Sequence, residues 1–217
     1  MKSNAELERD VLDELLWDPS INAANIQVAA DHGTVTLGGS IASYSEKWAA
    51  KRATRRVLGV ISVIDDVDVQ LPPDEERTDA DLAGTANDAL RWNRLVPDEL
   101  ISVSAANGRL TLTGNVPYHY QREAAYNAVR VLVGVKDVNN HLRIRPSISA
   151  DDVKTQIEKA LVRSAQTNAG KIHVATEGGV VTLTGNVHSS SEREDAARAA
   201  WAAPGVHEVQ NELTVIA

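Results

Sequence analysis

A chain of 217 residues with a net charge of −8, no cysteine and no phenylalanine excludes several classes at once. Without cysteine there is no disulfide framework and no thiolate metal site, and the acidic balance argues against nucleic-acid binding through a basic surface. No run approaches the roughly 20 apolar residues of a membrane span, and the opening MKSNAELERD lacks an apolar stretch, so the expectation is a soluble, cytoplasmic protein, periplasmic only if a leader precedes these residues.

The first element reads as a helix. Leu7, Val11 and Leu15 recur every four residues, which draws one apolar stripe along a helix, and Ser3 with Glu6 has capping-box spacing. Trp17, at the end of this stripe, is expected to be a partly buried lid on the core. Two short strands follow. Ile26 and Val28 alternate with polar or small residues, and Val35 and Leu37 face one way while Thr36 faces the other. Such alternation belongs to a sheet with one apolar and one solvated face. Between the strands, Asp31-His32-Gly33 is a hairpin signal, because these residues tolerate the positive φ of a tight turn. A second helix starts at Ser43, three residues before Glu46, and buries Ala50, Ala53 and Val57. Gly59 stands where a helix C-cap glycine belongs. A last strand alternates Val63, Val67 and Val69 with Asp65, Asp66 and Asp68.

The same order is written twice more. Residues 33–69, 108–144 and 179–215 align without a gap over 37 columns, nine of them identical in all three. The first-helix stripe recurs as Leu82, Ala86 and Leu90 and as Val153, Ile157 and Leu161; Trp92 shares the column of Trp17. Ser189 with Glu192 repeats the second-helix cap, Tyr118 with Gln121 keeps half of it, and Ser149 with Asp152 resembles the first-helix cap. The expected fold class is α+β: three tandem αββαβ units, each a three-stranded mixed sheet in order 1-2-3 with two helices on one face. The expected domains are 1–70, 78–146 and 149–217, joined by QLPPDEERTDAD (70–81), whose prolines and acids resist folding, and by RPSISADD (145–152).

The stretch GRLTLTGNV (108–116) follows a strand-loop-helix order that can cradle a phosphate, yet its glycine spacing fits neither G-x-G-x-x-G nor a P-loop. Its three-fold recurrence marks scaffold. The motifs TLGGSI, TLTGNV and TLTGNV, with GVISVIDDVDV, GVKDVNNHLRI and GVHEVQNELTV, resemble the BON domain of bacterial osmotic-shock and envelope proteins, here in three copies covering nearly the whole chain. The resemblance implies a non-enzymatic protein that binds phospholipid surfaces or partner proteins under osmotic or envelope stress. It also implies an alternative, potassium sensing, as in a cytoplasmic relative that pairs one such domain with a LysM domain; no LysM-like segment is visible here.

No catalytic set, cofactor motif or metal-ligand spacing emerges. The six histidines are scattered, and Ser189-Ser190-Ser191 reads as a helix cap. One segment differs from its own copies: EKWAAKRATRRV (46–57) holds Lys47, Lys51, Arg52, Arg55 and Arg56 against the single acid Glu46. Trp48 aligns with Glu123 and Glu194, which marks it as exposed or partly exposed. Basic side chains beside an indole suit an anionic lipid surface or an acidic partner, each cation contributing about 1 kcal/mol near such a surface. The competing reading pairs these cations with Asp65, Asp66 or the acidic linker and packs Trp48 against the next unit. Both readings stand at this point.

Overall fold

The structure, a computed structural model, describes residues 2–145, 150–163 and 172–216. The first repeat runs α1 (Asn4–Trp17), β1 (Ile26–Asp31), β2 (Thr34–Ile41), α2 (Tyr44–Arg56), β3 (Ser62–Asp65) and β4 (Asp68–Val69). The middle repeat runs α3 (Asp79–Trp92), β5 (Ile101–Ala106), β6 (Arg109–Val116), α4 (His119–Val129) and β7 (Asp137–Ile144). The third runs α5 (Ala150–Arg163), β8 (Ile172–Glu177), β9 (Val180–Val187), α6 (Ser190–Trp201) and β10 (Glu208–Val215). The architecture is α+β, as the periodicity predicts.

Each sheet has its second strand in the centre. β1 pairs antiparallel with β2, and β3 and β4 pair parallel with it; β8 and β10 flank β9 in the same way. A tight hairpin forces the first pairing, and a helical crossover permits the second. The hairpin turn is left-handed at both central residues, with φ of 46° at His32 and 85° at Gly33, as a two-residue hairpin requires.

Both helices of a repeat share one core. Leu7, Val11 and Leu15 of α1 and Ala49, Ala50 and Ala53 of α2 are buried together with Val35, Leu37 and Ile41 of β2. In the third repeat Val153, Ile157 and Leu161 meet Ala196, Ala200, Val181, Leu183 and Val187. Alanines on the second helix let it lie close to the sheet, and leucines on the first fill the space left between them.

The caps form as their spacing predicts. Ser3 Oγ accepts the Glu6 N–H at 3.3 Å while the Glu6 carboxylate accepts the Ser3 N–H at 2.8 Å. Ser43 and Ser189 accept from Glu46 and Glu192 at 3.2 and 3.1 Å. Tyr118 offers no Oγ, so only the return half survives, from its N–H to Gln121 Oε1 at 3.2 Å. Ser149 lies outside the described residues.

Two expectations are corrected. Helix α3 starts inside the stretch read as a linker, because Thr78 Oγ accepts the Asp81 N–H at 3.2 Å and caps it. Trp17 and Trp92 are not lids: each is 84% exposed. The lid is the aliphatic residue four positions later, Ile21 or Val96, which is buried.

By density of backbone contacts the chain divides into two compact units. One comprises Met1–Asp88, Ser104–Thr111 and Ala128–Asn139; the other comprises Ala89–Val103, Leu112–Asn127 and Asn140–Ala217. The division runs through the middle repeat rather than along the repeat borders.

Candidate functional site

The basic helix α2 is best read against its two copies. The last strand of each repeat carries one side-chain turn. Asn140 Oδ1 accepts the Leu142 N–H at 3.2 Å, Asn211 Oδ1 the Leu213 N–H at 3.3 Å, and Asp65 Oδ1 the Val67 N–H at 3.4 Å. The two asparagines also donate, through Nδ2, to the helix carbonyls of Arg122 and Arg193 at 3.4 and 3.1 Å. A carboxylate has no proton to donate. In the first repeat Lys47 and Lys51 take over, 3.5 and 3.7 Å from Asp65, and Lys47 also donates to the Val67 carbonyl. Two of the five cations thus answer the aspartate at position 65, where β3 breaks off before β4.

Arg56 is also engaged within the fold. It donates to Glu14 at 2.8 Å and reaches Asp18 at 3.4 Å, tying the ends of α2 and α1 together. Hydrogen bonds from Ser20, with Arg56 adding, hold the Asp18 carboxyl below the usual carboxylate range. Trp48 meets two guanidiniums, that of Arg52 4.8 Å and that of Arg130 3.6 Å from its ring centroid. Of the six residues singled out in the sequence, Lys47, Lys51 and Arg56 are held in ion pairs and Trp48 in contacts with two guanidiniums. Arg52 and Arg55 remain as exposed charges.

A second aromatic contact joins α4 to α6, where the His119 and Trp201 rings stand 4.2 Å apart at a tilt of 33°. His119 Nδ1 is buried without a hydrogen-bond partner among the described residues. Burial pushes the imidazole below its ordinary value, with Arg122 adding and Glu123 opposing. The folded state therefore prefers neutral His119, and its contribution is present above the unfolded pKa and lost as pH falls through the lowered one. Acidification from neutrality through about pH 6.5 should lower the melting temperature of the wild type more than that of His119→Phe. Parallel acid profiles for the two proteins would refute this.

The residues missed in the sequence lie just beyond the first helices. After α1 the chain reads Trp17-Asp18-Pro19-Ser20-Ile21, and after α3 it reads Trp92-Asn93-Arg94-Leu95-Val96. The turns match. Asp18 accepts the Ser20 N–H at 3.1 Å and Asn93 the Leu95 N–H at 3.0 Å, and the buried residue donates back to the Asp18 or Asn93 carbonyl at 3.1 or 2.9 Å. Each turn thus anchors its aliphatic residue and turns the tryptophan outward. Their surroundings differ in charge: both follow an aspartate one turn earlier, Asp13 or Asp88, but Trp17 also has Glu14 before it and Asp18 after it, whereas Trp92 has Arg91 before it and Arg94 after it, with Leu95 59% exposed. The signal in the sequence is this alignment of two turns, with the aliphatic residue at their end.

The glycine of TLGGSI and TLTGNV holds no phosphate cradle. A Cβ on Gly39 would overlap the Asn25 carbonyl oxygen, and one on Gly114 the Leu100 carbonyl oxygen. Glycine is there so that the backbone ahead of the first strand can cross the second. Among the described residues no three histidine or acidic side chains converge as a metal site, and no helix is long and apolar enough to cross a membrane.

Comparison with known families matches the BON domain three times, over residues 3–70, 78–146 and 149–217. Among curated proteins the chain is 27% identical to "Osmotically-inducible protein Y" of Escherichia coli over 58% of its length, 29% identical to the "21 kDa hemolysin" of Actinobacillus pleuropneumoniae over 54%, and 30% identical to "Outer membrane lipoprotein DolP" of Haemophilus influenzae over 50%. The matches span 65%, 62% and 59% of those relatives' own lengths. The cytoplasmic address expected from the sequence is overturned here, because a relative of this similarity is an outer membrane lipoprotein. That expectation took residues 1–10 as an address, whereas the fold uses them to cap and begin α1.

Proposed function

The chain belongs to the BON domain family, and on that premise we propose that it is a non-enzymatic envelope protein that docks reversibly on anionic phospholipid, through Trp92 at the end of α3 and Arg94 and Leu95 just after it. The observation that carries this reading is the 84% exposure of Trp92 on a turn that also presents a cation and an aliphatic side chain. An indole with arginine and leucine matches the headgroup boundary, where the ring and leucine leave water and the guanidinium meets phosphate. Trp17 is equally exposed, but its acidic neighbours would be repelled from such a surface. Arg52 and Arg55 of α2 add long-range attraction; Lys47, Lys51, Arg56 and Trp48 support it only through the fold. Similarity to an osmotically inducible protein and to an outer membrane lipoprotein favours an envelope and stress setting.

Vesicle flotation tests the proposal. The chain should float with vesicles containing about a third anionic lipid and not with neutral ones, and about 0.5 M salt should release it, because screening shortens to a few ångströms. Arg94→Glu, which reverses one charge, should weaken binding about thirtyfold at about 1 kcal/mol per charge unit, and Trp92→Ala should weaken it further. Undiminished flotation of the Trp92→Ala/Arg94→Glu variant would eliminate this turn as the contact.

A further inference from the structure

Two junctions between repeats run in the same direction and share one column of the repeat alignment. At the first, within one compact unit, Trp48 of α2 lies under Arg130, which follows α4. At the second, within the other, His119 at the start of α4 meets Trp201 at the end of α6, and the Gly205 N–H donates to the Pro117 carbonyl at 2.8 Å. Arg130 and Trp201 occupy one column of the repeat alignment. The columns of His119 and Trp48 are four apart on equivalent helices, one turn along the same face. The first half of the second helix in one repeat thus meets the end of the second helix in the next.

This pattern leaves one open end at each side. Arg55 is the column partner of Arg130 and Trp201; it is exposed and forms no ion pair among the described residues. Gly59, equivalent to the buried Gly205, is exposed, and Leu58 beside it is 80% exposed. In the third repeat Ser190 and Glu194 fill the columns of His119 and Trp48, and His188 fills that of Pro117; all three are exposed. We infer that a second copy of this chain docks here head to tail, with Glu194 of one copy on Arg55 of the next and the His188 carbonyl on the Gly59 N–H.

Charge selects this arrangement. Two first-repeat ends would set Arg55 against Arg55, and two third-repeat ends Glu194 against Glu194. Only the mixed contact joins opposite signs, and a mixed contact between identical chains propagates into a ring or filament rather than stopping at a dimer.

The junctions inside the chain form at effective concentrations of about millimolar, so a comparable contact between copies is expected to bind no more weakly than about 1 mM. Sedimentation velocity of the full chain, from about 10 µM to about 1 mM, should show a coefficient that rises with concentration. Arg55→Glu and Glu194→Arg should each weaken association about tenfold or more, since like charges then meet, while melting temperatures stay at the wild-type value because both side chains are exposed. The double variant Arg55→Glu/Glu194→Arg should recover association. A coefficient that does not change with concentration, single variants that associate like wild type, or a double variant that fails to recover would overturn the inference.

Discussion

Alanine at position 39 should destabilise the first repeat by about 3–5 kcal/mol, while alanine at position 38 should change its stability by no more than about 0.5 kcal/mol. The two glycines are neighbours in β2, so strand propensity cannot separate them. Gly39 has φ +93° and its missing Cβ is the space taken by the Asn25 carbonyl; around Gly38 a Cβ would meet nothing within 4 Å. A carbonyl is backbone and cannot rotate aside as a side chain can. The Gly39 variant must therefore pull β1 away from β2 or strain the strand. Conventional stability is about 0.05–0.15 kcal/mol per residue, or roughly 3.5–10 kcal/mol for a repeat of about 70 residues, so the loss approaches unfolding. Urea titration of both variants decides the matter: equal midpoints would show that the crossing is not the reason for glycine.

Leu37→Ala should cost about 3–4 kcal/mol and lower the melting temperature by about 15 °C. Leu37 is 1% exposed and packs among valines, leucines and alanines of both helices. With no phenylalanine in the chain and one methionine, at its first position, the buried neighbours of Leu37 are aliphatic side chains already packed in place, with Tyr44 at the edge of the core. The cavity persists, which places the cost well above the bare loss of buried surface. Protease sensitivity supplies a second reading: wild type should be cut first within 70–78, and Leu37→Ala within 33–69. A loss under about 1.5 kcal/mol would mean that the alanine-rich helix collapses onto the sheet.

The sequence carried most of the fold because three copies reinforce each other. A capping serine with its glutamate, a glycine at a hairpin and a stripe every four residues are local signals, and each recurs at the expected offset. Contacts between distant columns were harder to read. Lys47 and Lys51 look like a binding face until Asp65 is compared with Asn140 and Asn211. The exchange of an amide for a carboxylate is then what calls for cations on α2. The Thr78 cap was hidden because prolines and acids precede it, and a single threonine weighs little beside them. Trp17 and Trp92 end the first-helix stripe and so look like partly buried lids, yet that position does not decide burial where Ile21 or Val96 already closes the core. The exposed turn at Trp92 became legible only when the anchoring of those aliphatic residues was known.

The placement of the four tryptophans also makes the chain its own optical gauge. No aromatic side chain belongs to the buried cores of the described residues. Trp48 and Trp201 stand at the two junctions between repeats, while Trp17 and Trp92 are in water even in the native state. Indole emission is therefore nearly blind to the melting of the first core, while Trp201, which also packs against the third core, reports the melting of that core together with the parting of neighbours. Followed together with far-ultraviolet dichroism on heating, emission should shift before ellipticity falls, so that uncoupling of the array and dissolution of its members register as separate events in a single sample.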